Sequence, residues 1–249
     1  MRHPLDDARL KLERADLHLA ELQPLVDGYR RARDAPFRLV GKKHPDGWTV
    51  TRFNVTTAPD RRWGLVAGDA IHNMRAALDY TVCELVKANN GKITKATAFP
   101  IFPDEPPEKD KRLENKIKGM DPDHAEAIRK MQPFADKDSE RSQALLWASA
   151  NDVGDKHHQL PAVLASFDHE ARATGRTKDR DVEIHVTVGP VGHGDVIWRV
   201  RAPDEAVIKL ESWVSPDVAF GNPPLVTADL RKIGRVIAGI VESFAPAFD

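Results

Sequence analysis

The chain reads as an α+β protein: a helical core built on a long central helix, with antiparallel β-hairpins packed at one side. Three observations predict this. Residues 62–88 place Trp63, Val66, Ala67, Ala70, Ile71, Met74, Ala77, Leu78 and Leu85 at three- and four-residue steps, the pattern of an amphipathic helix. Val182, Ile184, Val186 and Val188 alternate with Glu183, His185 and Thr187, which predicts a strand with one buried face. His44-Pro45-Asp46-Gly47 is a turn signal between two β-rich runs, so a hairpin is expected there.

The elements follow in order. Pro4 suits the start of a helix, where its missing N–H does no harm. That helix runs to about Arg33, with Leu10, Leu17, Leu22, Leu25 and Tyr29 among its apolar positions. The hairpin and the central helix come next. Ala96–Pro107 is proline-rich and must be extended. Two short helices are expected near Lys109–Lys118 and Pro122–Met131, with Pro133 stopping the second. Asp138 or Ser139 caps another helix. It carries Leu145, Leu146, Trp147 and Ala148, and Gly154 is where it bends or ends. Residues 167–182 read as a solvated loop with a basic run. Gly189–Asp195 turns the alternating strand into a second one, Val196 to Arg201, and a short third strand is placed near Asp217–Phe220. The last helix, Thr227 to Ala245, buries Leu230, Ile233, Val236, Ile237, Ile240 and Phe244. There is no internal repeat and no separating linker, so residues 1–249 are expected to form a single domain.

Bulk properties narrow the function classes. A chain of 249 residues buries a substantial core, and 41% hydrophobic with 30% charged residues is ordinary globular composition. The formal net charge of −1 gives no global field toward nucleic acid or an anionic membrane, so a nucleic-acid partner would need a local basic patch. Cys83 is the one cysteine, which excludes an internal disulfide and suits a reducing compartment. The charged N-terminus lacks a signal peptide's apolar run, and no stretch approaches a membrane span. Cytoplasmic localisation without a membrane partner is the expectation. The chain has no Gly-x-Ser-x-Gly, P-loop or dinucleotide fingerprint, and the glycine-rich Gly189–Asp195 joins two strands, which marks a turn. No cofactor is expected.

Two polar stretches stand out, Gly68–Tyr80 (GDAIHNMRAALDY) and Ala150–His158 (ANDVGDKHH). At about 100° per residue, His72, Arg75 and Asp79 share the helix face opposite the apolar stripe, with Asp69 to one side. A face that was merely wet would carry Lys and Glu at salt-bridge spacing. His, Arg and two Asp, with Cys83 one turn on, suit a covered face whose charges must be paired. The second stretch is the expected cover. Asn151, Asp155 and His158 share one helical face, and Asp152 with Lys156 forms an i,i+4 pair on another. Asp155 would then accept from Arg75, with His157 or His158 near His72.

Such a cluster supports three readings. In metal-free phosphodiester cleavage, Arg75 would hold the phosphate through its planar fork, and His72 or His157 would move protons. Asp155 would orient one of them, Asp79 would complete the catalytic set, and Asn73, Asn151 and Lys156 would touch the substrate, RNA or a nucleotide. In a metal-dependent hydrolase, His72, Asp155, His157 and Asp69 would be the ligands, but no His-Glu-x-x-His or cysteine pair supports it, and no metal ligand is assigned. In a non-enzymatic scaffold, the network would lock the helices together with no chemistry.

The two stretches, together with "FPIF" at Phe99–Phe102, "IRKMQPF" at Ile128–Phe134 and "WASANDVGDKHH" at Trp147–His158, resemble a broad bacterial, largely actinobacterial, family carrying the GDxxHNxRxALD and DKH motifs. That resemblance implies no established activity. Its members often read Arg-Ser-Ala-Leu-Asp-His where this chain has Arg75-Ala-Ala-Leu-Asp79-Tyr80. An arginine followed by a histidine on a helix is in turn similar to the active motif of HEPN-type ribonucleases (higher eukaryotes and prokaryotes nucleotide-binding). This more distant resemblance implies a helical, usually dimeric fold, hence a homodimer, and metal-independent cleavage of RNA. Here Tyr80 stands where the motif histidine would be, and a phenol with a pKa near ~10 is a poor proton shuttle at neutral pH. Ala76 replaces the polar residue that often follows the arginine.

Overall fold

The computed structural model describes residues 2–157, 162–176, 182–202 and 207–248, without the side chains of 153–157, 166–167, 172–176 and 207–212. It is an α+β fold. The chain divides into two compact units, one of residues 1–23, 62–160 and 220–249, the other of residues 24–61 and 161–219.

The helical unit is built on the first part of α1 (Asp6–Arg30) together with α2 (Arg62–Ala88), α3 (Arg112–Ile117), α4 (Pro122–Lys130), α5 (Glu140–His157) and α6 (Thr227–Ser243). The central helix has the bounds its periodicity predicts, and it buries Ala67, Ala70, Ile71, Met74, Ala77, Leu78, Val82, Leu85 and Val86. It packs against α5 and α6, which also pack on each other, as the apolar stripes require. Local signals set the ends. Asp121 Oδ1 caps α4 by accepting from Asp123 N (2.8 Å), with Pro122 at the first turn. Ser139, one of the two expected caps, accepts from Ser142 N (3.2 Å) at the start of α5. Gly154 does not end α5, which runs through it to His157.

Only some of the apolar positions named for α1 turn to the core. Leu10, Leu17 and Leu25 are exposed, whereas Leu5, Ala8, Ala15, Leu19, Leu22 and Val26 are buried. Leucines are spread around this helix, and the buried stripe is the one with small alanines, which allow close approach of neighbouring backbones. Polar ties fasten α1 to α6. Arg9 donates from Nε and Nη2 to Glu242 Oε1 and Oε2 (2.8 and 2.7 Å), and Gln23 Oε1 accepts from Thr227 Oγ1 and Arg231 Nη1 (both 2.9 Å).

The sheet unit holds β1 (Phe37–Lys43), β2 (Trp48–Val55), β3 (Ala162–Arg176), β4 (Glu183–Val186), β5 (Val196–Arg201) and β6 (Val207–Phe220). β1, β2, β5 and β4 form one antiparallel sheet in that order. The His44–Gly47 turn closes β1 onto β2 in a register that pairs Phe37 with Val55 and Lys43 with Thr49. Gly47, at φ 84°, supplies the left-handed residue that turn needs. The Gly189–Asp195 stretch is a turn as expected, with Gly189 and Gly194 at positive φ and Gly192 N donating to Asp195 Oδ2 (2.8 Å).

Three strand expectations change. The segment read as a solvated loop is largely β3, neighbour of β6, because backbone pairing holds a polar strand without apolar alternation. The short strand near Asp217 is the end of the much longer β6. The buried face expected for β4 is not there: Ile184 is half-buried, Val186 is 37% exposed and Val188 is 97% exposed. β4 pairs on one side only, with β5, so its valines sit at the rim of the sheet.

Candidate functional site

The polar face of α2 meets a different partner at nearly every residue. His72 Nδ1 lies 2.9 Å from Asp152 Oδ1 on α5. The carboxylate is 5% exposed and the imidazole 52% exposed, so the ring is backed by a buried acid and its far edge meets solvent. The sequence places Asp152 only in an i,i+4 pair with Lys156, on a different face from Asp155. It stands about one helical turn before Asp155.

Arg75 turns the other way. Its Nη2 donates to the Phe99 carbonyl (2.6 Å), and its Nη1 stands 3.0 Å from Asp79 Oδ1. That second contact is an ion pair too bent for a hydrogen bond, which leaves Nη1 buried without one. The same Asp79 oxygen accepts from Phe99 N (2.8 Å), so the pair grips both backbone groups of one buried residue. Burial pushes the Asp79 carboxyl above the usual carboxylate range, while Arg75, the Phe99 N–H and Lys116 pull it down and Asp152 adds to the rise. Lys116, on α3, is a participant that sequence reading missed inside a solvated charge run. Burial, and then the nearby Arg75, lower its ammonium, with Asp79 opposing. Its only sequence signal is its place beside Leu113 and Ile117, the two residues α3 buries. Cys83 is raised by burial first and then by Asp79, which makes its thiol a poor nucleophile.

The two asparagines expected to touch substrate face inward. Asn73 donates to the Asp69 carbonyl (2.8 Å) and accepts from Lys11 Nζ (3.2 Å). Asn151 is 1% exposed, donates to the Trp147 carbonyl (3.0 Å) and accepts from Asn222 N (3.1 Å). An amide side chain can donate and accept at once, which both asparagines do: Asn151 to two backbone groups, Asn73 to one carbonyl and one ammonium. A Cβ on Gly221 would lie 1.8 Å from Asn151 Oδ1, so the glycine makes the room. Gln132, fully buried, does the same for the next segment. Its Nε2 donates to the Pro100 and Ile128 carbonyls (2.9 and 3.1 Å), and its Oε1 accepts from Phe102 N (3.2 Å).

The structure therefore brings His72 to the second polar stretch through Asp152 and takes Arg75 and Asp79 to the Phe99 segment instead. The side chains of Asp155, Lys156 and His157 lie outside the described residues, as does His158. Asp69, the other ligand of the metal reading, is exposed. Among the described residues no three His, Cys, Asp or Glu side chains gather to hold a metal ion. Tyr80 is 41% exposed, with Lys11 Nζ 5.8 Å from its ring centre. No helix among the described residues is long and apolar enough to cross a membrane. Comparison with protein-family models, with curated proteins and with solved structures returns no match.

Proposed function

We propose that the helical unit is a non-enzymatic scaffold and that its polar stretches are fasteners. The observation that carries this is the engagement of Arg75. Phe99 and Asp79 hold the one guanidinium offered for phosphate binding, and its side chain is 13% exposed. Binding a phosphate there would break an internal tie. The other polar residues follow the same logic, each joining α2 or α5 to a different neighbour: Asn73 to α1, His72 to α5, Asn151 to the turn before α6.

One feature favours a second reading, a degenerate HEPN-like, metal-independent ribonuclease. An imidazole held at one nitrogen by a buried carboxylate and half open to solvent suits general acid–base work. The two readings part on His72→Ala. As a fastener, this change costs about 1–3 kcal/mol, because the buried Asp152 carboxylate loses the His72 contact, and lowers the melting temperature by several degrees. Purified protein incubated with total RNA, with and without chelator, then leaves the RNA intact. Cleavage by the native protein that His72→Ala abolishes at unchanged melting temperature would overturn the scaffold reading.

A further inference from the structure

The sheet unit carries a cationic face that the reading of the helical unit does not use. In an antiparallel sheet directly paired residues share a face. Arg52 is two residues from Asn54, which pairs with Arg38, and Val50 pairs with both Lys42 and Arg199. Trp48 pairs with Arg201. Arg38, Lys42, Arg52, Arg199 and Arg201 therefore project from one side of β1, β2 and β5, and all five are exposed. The opposite side buries Thr51, Phe53 and Trp198. Five cations stand here in a chain of net charge −1, so this is the local patch that the bulk composition lacks.

The patch is organised around Trp48. The Arg199 and Arg201 guanidinium carbons lie 5.2 and 5.9 Å from its ring centre, and the His185 ring meets it edge-on at 5.1 Å. Among the described residues no carboxylate lies within ion-pair distance of Arg38, Lys42, Arg199 or Arg201, although Glu183 on β4 is the cross-strand neighbour of Arg201 on this face, whereas Arg52 donates to the Gly194 carbonyl (2.8 Å). Stacking holds the two guanidiniums in place and leaves their N–H groups to a ligand. A concavity of about 550 Å³, lined by Asp46, Trp48, Arg52, His185 and Arg199 among others, opens over part of this cluster, and that size admits a nucleotide. Two carboxylates stand at the edge of the positive field. Asp46 Oδ1 accepts from Trp48 N (3.2 Å), which fixes that carboxylate beside the ring, and Glu183 lies 4.0 Å from His185 Nε2.

We propose that this face binds single-stranded RNA, with phosphates on the arginines, a base stacked on the Trp48–arginine platform, and ribose hydroxyls donating to Asp46 or Glu183. A duplex keeps its bases stacked inside and cannot use the platform. DNA has no 2′-hydroxyl to give the carboxylates. The inference uses residues 38–52 and 183–201 only and does not depend on the role of His72.

Fluorescence anisotropy of the full chain with a labelled single-stranded RNA of about ten nucleotides tests it. Binding is expected at low salt, about tenfold weaker or more for Trp48→Ala and recovered by Trp48→Phe, which keeps a stacking ring. The Arg199→Gln, Arg201→Gln double variant should flatten the plot of log affinity against log salt by about 1.4, roughly 0.7 for each lost phosphate contact. Both arginines are exposed, so this variant carries the test if Trp48→Ala lowers the melting temperature. No binding at low salt would overturn the proposal, as would an unchanged salt slope in the double variant. Binding of single-stranded DNA, duplex RNA or heparin as tight as that of the single-stranded RNA would overturn it too.

Discussion

At the scale of single residues, Asp79 shows how a buried acid is tolerated. Desolvation raises its carboxyl above the ordinary value, and the Arg75 and Phe99 contacts offset only part of that rise. A raised acid binds more protons folded than unfolded, so its contribution to stability is fullest below the unfolded value and is lost as pH rises through the folded one. Asp79→Asn removes this dependence. In urea melts, the stability of the native protein relative to Asp79→Asn should therefore grow as the pH falls from neutrality toward about 4. A constant or shrinking difference would mean that the carboxyl is not desolvated in solution. The sequence made Arg75 and Asp79 visible on one helix face, with Asp155 as the acceptor expected for Arg75. It did not make Phe99 visible as their shared target, because backbone groups leave no mark in residue identity.

At the scale of elements, legibility followed amphipathic contrast. The central helix has apolar residues on one stripe and few elsewhere, and its expected bounds, Arg62 to Ala88, are the observed ones. In α1, leucines occur on several sides, so apolar identity alone does not say which are buried. Substitution separates the faces. Leu19→Ala, at a fully buried position, should cost about 2–5 kcal/mol. Leu17→Ala, at a position 61% exposed, should stay within about 0.5 kcal/mol, both read by thermal or urea melts. Equal costs would show that another surface covers Leu17 in solution. β3 was illegible for a different reason. Its residues Asp168, Glu170 and Arg172 are those of a loop, and strand pairing uses backbone groups that any residue but proline supplies.

At the scale of the whole molecule, the chain passes between its two units at residues 23–24, 61–62, 160–161 and 219–220. The first passage lies inside α1, at Pro24, where composition does not change. This is why the absence of a linker, the ground for expecting one domain, carries no information about the division. The charge of the whole is near balance, with 37 basic and 38 acidic residues and an isoelectric point near 6.8. Self-repulsion is then weakest close to neutral pH. Solubility measured by precipitant titration should pass through a minimum around that point and rise on either side. A minimum displaced to well below it would imply that many basic groups are neutralised by bound anions, the sheet-face arginines among them.

The segment around Phe99 has one more consequence. It belongs to no helix or strand, and Pro100 and Pro103 lack the N–H groups that a strand's ladder would need. Asp79, Arg75 and Gln132 supply its partners instead, at the Phe99 N–H, the Phe99 carbonyl, the Pro100 carbonyl and the Phe102 N–H. Three side chains thus act as a surrogate strand. A backbone neighbour would accept almost any sequence. This one depends on the identities of Arg75, Asp79 and Gln132, so replacing any of the three frees a backbone group of the segment, whereas side-chain changes at Phe99 or Phe102 that keep the N–H leave these ties in place.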